Sequence, residues 1–133
     1  MEIKVMTATR TAGGEVTAAD TSQAVNVFTT TPNIYILALF ARVKTAFAGV
    51  TLPEVSLGIA GDTGKYIPKQ PINAETDLVV GKMPQAGPDY CAKMLSYQKT
   101  PANEAIIATF SSVSGNLSSL SAGEIEFVCV YVE

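Results

Sequence analysis

Alternation of apolar and polar residues with a period of two is the dominant pattern of this chain, and it predicts β-strands. The clearest run is residues 124–132, where Ile125, Phe127, Cys129 and Tyr131 alternate with Glu126, Val128, Val130 and Val132. Further strands are predicted at residues 1–6, 24–30, 54–60, 91–98 and 104–110. Turn residues separate several of them, as in the Gly-Asp-Thr-Gly stretch at 61–64 and the Ser-Gly-Asn stretch at 114–116.

Residues 33–47 fit two patterns equally well. As a helix, the segment would begin after Thr31-Pro32 and end at Gly49, with an apolar stripe formed by Ile36, Leu39, Phe40, Val43 and Phe47. As a strand, it would place Tyr35, Leu37, Leu39 and Ala41 on one face, and Ile34, Ile36, Ala38 and Phe40 on the other. Periodicity alone leaves both interpretations open.

Two segments lack a regular pattern. Thr and Ala supply nine of the seventeen residues from 7 to 23, without apolar periodicity, which predicts an extended or mobile arm outside the core. Pro68, Pro71, Pro84 and Pro88 predict a long irregular section, interrupted by a short apolar piece at 78–80. We therefore expect an N-terminal strand and arm over residues 1–23. Residues 24–133 should form one all-β domain, a single β-sandwich or jelly-roll-like fold.

Charge and hydropathy exclude two classes of partner. The net charge is −3 and the nine basic residues are scattered, so the basic surface of a nucleic-acid-binding protein is missing. The apolar run at residues 34–41 is far shorter than the roughly 20 residues of a membrane-spanning helix, and no signal peptide is evident. We expect a protein made in a cytosol that binds neither nucleic acid nor membrane.

The sequence offers little catalytic chemistry. It contains no histidine, which removes the commonest general base and most zinc sites. Cys91 and Cys129 are too few for a thiolate metal site and are best interpreted as buried small apolar residues. Asp62-Thr63-Gly64 occurs once, in a turn context that does not fit an aspartic protease. We therefore expect no enzyme activity, no cofactor and no metal. Charged residues make up only 16% of the chain, which fits a protein that binds other proteins.

Five short motifs occur in an order that resembles small structural proteins of tailed bacteriophages, of the capsid cement or decoration type. They are TAFAG at residues 45–49, LGIAGDTGKY at 57–66, IATF at 107–110, GNL at 115–117 and AGEI at 122–125. The resemblance covers roughly residues 34–132 and implies that residues 34–47 form a strand. It also implies a virion protein made in the bacterial host cytoplasm, which binds the major capsid protein or other virion proteins and forms a homo-oligomer, with a trimer favoured.

Two predicted strands are apolar on both faces, although a surface strand of a sandwich needs only one apolar face. The candidate protein-interface residues on them are Ile34, Ile36, Phe40, Val128, Val130 and Val132. Either a second copy, a virion partner or long loops of the same chain would cover them. The alternatives to a decoration protein are a phage tail, connector or head-fibre component, and a β-domain that binds glycans or small molecules.

Overall fold

The computed structural model describes residues 2–29, 35–74, 76–80 and 105–132, and the regular secondary structure within them consists of strands and one short 3-10 helix. Each strand lies in one of two antiparallel sheets. The strands are β1 (Ile3–Thr11), β2 (Ser22–Thr29), β3 (Tyr35–Ala48), β4 (Glu54–Ile59), β5 (Asp62–Pro71), β6 (Thr76–Val80), β7 (Ala105–Ser111) and β8 (Ala122–Val132). The 3-10 helix, Leu117–Ser119, precedes β8.

The strand order is that of a jelly roll. One sheet has the order β1-β8-β3-β6 and the other β2-β7-β4-β5. The pairs β1–β8, β2–β7, β3–β6 and β4–β5 follow one another and alternate between the two sheets. The chain is therefore one long antiparallel ribbon, wrapped so that β3 also pairs with β8 and β4 with β7. This confirms the predicted all-β sandwich and gives its jelly-roll topology.

Residues 35–48 form a strand and not a helix. β3 lies between β8 and β6 and has ladder partners on both sides, so neighbouring strands satisfy its backbone hydrogen bonds. The strands predicted at 1–6, 24–30, 54–60, 104–110 and 124–132 are confirmed as β1, β2, β4, β7 and β8, with shifted ends. The strand predicted at 91–98 lies outside the described residues.

The interpretation of residues 7–23 as an arm outside the core is wrong. β1 continues to Thr11, and its residues 7–11 pair with residues 124–128 of β8. In the connection to β2, Val16 is fully buried in the hydrophobic core. The side-chain oxygen of Gln23 accepts hydrogen bonds from the backbone N–H groups of Thr17 and Ala18, at 2.9 and 3.0 Å. A connection held by one apolar anchor and by hydrogen bonds has no periodicity for sequence analysis to detect.

The section predicted to be irregular contains a ten-residue strand. β5 includes both Pro68 and Pro71, and it lies at the edge of its sheet, with a partner strand on one side among the described residues. Proline is tolerated there because the missing N–H group need not take part in the ladder. The apolar piece at 78–80 belongs to β6. Pro84 and Pro88 lie outside the described residues.

The core between the sheets centres on three phenylalanines. Phe47 and Phe127 come from the first sheet and Phe110 from the second, and all three are almost completely buried. The Phe110 ring lies 5.9 Å from Phe47 and 6.5 Å from Phe127 between centroids, in a tilted and an edge-to-face arrangement. Such pairs add about 0.5–1.5 kcal/mol beyond the burial of apolar area, and here they join the two sheets.

Candidate functional site

The β1-β8-β3-β6 sheet has an outer face, which points away from the second sheet. This outer face carries apolar residues that the core between the sheets does not need. Alternation along β8 defines it: Ile125, Phe127 and Cys129 are fully buried in the core. Val128 lies between Phe127 and Cys129, and Val130 follows Cys129, so both point to the opposite side. Val128 is itself mostly buried, although it does not belong to the core cluster. A jelly roll needs only the inner face of this sheet to be apolar.

Strand register places these residues in rows across the outer face. One row consists of Val5 of β1, Val130 of β8 and Ala38 of β3. The adjacent row consists of Thr7, Val128 and Phe40. Directly opposed side chains in a sheet lie about 4.5–5.5 Å apart between Cβ atoms, so residues within each row are in contact range.

The apolar surface extends to the first residues of β1. Ile3 lies two residues before Val5 and on the same face of the strand, and the two side chains are 68% and 59% exposed. The register pairs Ile3 with Val132, the last residue of β8. We call Ile3, Val5, Ala38, Phe40, Val128 and Val130 the apolar outer patch.

Polar residues border the patch on one side. The next row after Thr7, Val128 and Phe40 contains Thr9, Glu126 and Arg42, and the row after that contains Thr11, Glu124 and Thr45. Lys44 forms an ion pair with Glu126, with 3.4 Å between Nζ and Oε2. The outer face is thus divided into an apolar half and a polar half. An apolar centre with a polar border is typical of protein–protein interfaces.

The structure brings together three of the six residues predicted to form an interface. Phe40, Val128 and Val130 lie in adjacent rows of the patch. Val132 pairs with Tyr35 and Ile3 at the end of the sheet. Ile34 lies outside the described residues.

The placement of Ile36 on the outer face is wrong, because Ile36 packs in the core and is only 4% exposed. Pairing with β8 passes from Ile36–Tyr131 directly to Ala38–Val130, so Leu37 is an extra residue in β3. This β-bulge shifts the alternation by one residue, and strict alternation from Phe40 back to Ile36 therefore fails.

Sequence reasoning missed Ile3 and Val5 as surface residues. Their alternation with Glu2 and Lys4 favours an inward orientation for the apolar pair. In the structure, Met6 and Ala8 are the β1 residues that pack against the core, which turns Ile3 and Val5 outward. The sequence does contain a sign of this orientation: Met6 and Ala8, on the opposite face of β1 from Ile3 and Val5, are apolar as well.

Reactive groups do not form a site in the described part of the chain. Cys129 is fully buried, and its desolvation raises the pKa of the thiol to about 11, so it stays protonated and unreactive at neutral pH. Among the described residues, no three His, Cys, Asp or Glu side chains come close enough to hold a metal ion. No helix in the same residues is long and apolar enough to cross a membrane.

Comparison with known proteins gives a likeness of fold. No protein-family model and no curated protein matches the sequence. The structure is similar to a chain in the solved structure entitled "Cyanophage Pam1 capsid asymmetric unit", with a TM-score of 0.54 and 15% sequence identity. The match covers 97% of this chain and 83% of that chain. The two chains thus share a fold along nearly the whole of this sequence.

Proposed function

We propose that this protein is a non-enzymatic virion structural protein of the capsid decoration or cement type, which binds assembled capsid subunits through the apolar outer patch. The observation that carries the proposal is the patch itself. Its rows of Val5–Val130–Ala38 and Val128–Phe40 lie on the side of the sheet that the sandwich core does not use. The likeness to a chain of a cyanophage capsid unit and the resemblance of motifs support a location in the virion.

The physical basis is burial of the patch against a neighbouring subunit. Each Å² of apolar surface removed from water contributes about 25 cal/mol, and exposed side chains such as Val5 and Ile3 still have most of that surface to bury. A protein that binds only the assembled shell stabilises that shell by mass action. The polar rows around Glu126 and Glu124 would then form the border of the contact and fix its orientation.

The experiment uses shells assembled from the major capsid protein of the same virus, prepared without this protein. We expect the purified protein to sediment with the shells and to raise their melting temperature. Phe40→Ser should weaken binding by about tenfold or more, since it removes the largest apolar side chain of the patch. Val113→Ser is the matched control: Val113 is 65% exposed but lies outside both sheets, and this variant should bind like the wild type.

Two results would contradict the proposal. One is a wild-type protein that does not sediment with the shells. The other is a Phe40→Ser variant that remains folded by circular dichroism and binds as tightly as the wild type. The homotrimer implied by the motif resemblance is an alternative to the dimer proposed below, and the sedimentation experiment described there distinguishes the two.

A further inference from the structure

Among the described residues, the edge of β1 differs from the other sheet edges. The described strands leave four edge strands, β1, β6, β2 and β5. Unpaired edges invite association with other strands, and proteins protect them with proline, bulges, charge or short length. β5 contains Pro68 and Pro71, β6 has five residues, and the β2 register shifts between Asn26 and Phe28.

Of these protections, β1 carries only charge, at Lys4 and Arg10. Its nine residues pair with β8 without any register shift, and no proline interrupts them. Ile3, Val5 and Thr7 are exposed, whereas residues 9–11 are half-buried. At that more buried end, the Arg10 guanidinium donates a hydrogen bond to the Asn26 carbonyl oxygen of β2, at 2.8 Å. The open part of the edge is therefore the N-terminal half of β1, centred near Val5.

We propose that this edge pairs with the same edge of a second copy of the chain, antiparallel and across a two-fold axis at Val5. The sequence of β1 is self-complementary in this register. Val5 would lie opposite its own copy, Ile3 opposite Thr7, and Lys4 opposite Met6. No like charges face each other, whereas an axis at Lys4 would oppose two ammonium groups. A two-fold axis also makes the contact closed, because both copies use the same surface.

The pairing would join two four-stranded sheets into one sheet of eight strands. The row Val5–Val130–Ala38 of one copy would continue directly into the same row of the other. The apolar outer patches of the two copies would thereby become one continuous surface. This inference concerns the free protein, and it stands whether or not the protein binds a capsid.

The test is sedimentation of the full chain without any shells. It compares the wild type with two variants that place opposite charges at residue 5, on the proposed two-fold axis. We expect a dimer for the wild type. Val5→Lys and Val5→Glu should each raise the dimer dissociation constant by about tenfold or more, because like charges would face each other at the axis. An equimolar mixture of the two variants should recover the dimer, since opposite charges then meet. Val113→Lys, which adds the same charge at an equally exposed valine away from β1, should remain a dimer.

A second measurement needs no variant. Hydrogen exchange in the peptide containing residues 3–7 should slow as the wild-type concentration rises, because pairing protects the outward N–H groups of β1. Several outcomes would overturn the proposal: a wild-type monomer or trimer, single variants that dimerise like the wild type, or a mixture that does not recover the dimer. A dimer whose β1 exchange is independent of concentration would place the contact elsewhere and would also overturn it.

Discussion

The ring of Phe47 lies directly against the backbone of Gly123, at a place where a Cβ atom would overlap the ring. Gly123 also has a φ of +151°, which L residues rarely adopt. The glycine stands near the start of β8, and the phenylalanine stands near the end of β3, where pairing between these strands becomes irregular. The absent side chain therefore lets the Phe47 ring enter the core beside Phe110.

We predict that Gly123→Ala is strongly destabilising. Gly61→Ala is the matched control, since Gly61 also has a positive φ, +89°, but has no atom within 4 Å of an added Cβ. The control should lower the free energy of unfolding by about 1–2 kcal/mol through backbone strain alone. Gly123→Ala should lower it by about a further 1–3 kcal/mol through overpacking against Phe47. Urea unfolding measures the free energy of unfolding of both variants. Equal losses would show that the Phe47 ring moves aside without an energetic cost, contrary to the prediction.

Val16 provides a test of the connection between β1 and β2. It is fully buried in the core, so Val16→Ala should lower the free energy of unfolding by about 2 kcal/mol. Val113→Ala, at a valine that is mostly exposed, should change it by less than about 0.5 kcal/mol. Thermal or urea unfolding of the two variants checks this. Similar small effects for both would restore the interpretation of residues 7–23 as an arm.

Phe40 and Ile36 should respond differently to the same substitution. Ile36→Ser puts a hydroxyl group into the core and leaves a cavity, so we expect a loss of about 3 kcal/mol or more in unfolding free energy. Phe40→Ser changes the outer face and should cost only about 1 kcal/mol. The comparison by urea unfolding tests the bulge at Leu37. If strict alternation held, the two variants would lose similar stability.

The burial of Cys129 predicts that the protein loses stability at alkaline pH. Burial raises the pKa of its thiol from 9.0 to about 11, because the thiolate is poorly solvated in the core. Below pH 9 the thiol is protonated in both the folded and the unfolded chain, and its contribution to the free energy of unfolding is fully present. Between pH 9 and 11 the unfolded chain binds fewer protons than the folded chain, so the free energy of unfolding falls as pH rises, by about 2–3 kcal/mol in total.

The measurement compares urea unfolding of the wild type and Cys129→Ala from pH 8 to 11. The two proteins differ only at residue 129, so the difference between the two curves isolates the contribution of Cys129. We expect that difference to shrink as pH rises above 9. A difference that is constant with pH would contradict the assigned burial of the thiol.

Local pattern was sufficient for most of the strands. Alternation in β8 correctly separated Phe127 and Cys129 from Val128 and Val130, because β8 pairs with β1 without a bulge and therefore keeps a strict period of two. Alternation could not settle the structure of β3, since Ile36, Phe40, Val43 and Phe47 suit a helical stripe as well as a strand. The resemblance to phage proteins favoured the strand, and pairing with β8 and β6 confirms it.

The hydropathy pattern identifies this chain as all-β, and it shows that two strands carry more apolar residues than one core needs. Which of those residues are in excess depends on how the strands pack. The bulge at Leu37 turns Ile36 inward, and the packing of Met6 and Ala8 turns Ile3 and Val5 outward. Local pattern does not reveal these orientations, because the orientation of a side chain in a sheet depends on register, and register is set by partner strands far away in the sequence.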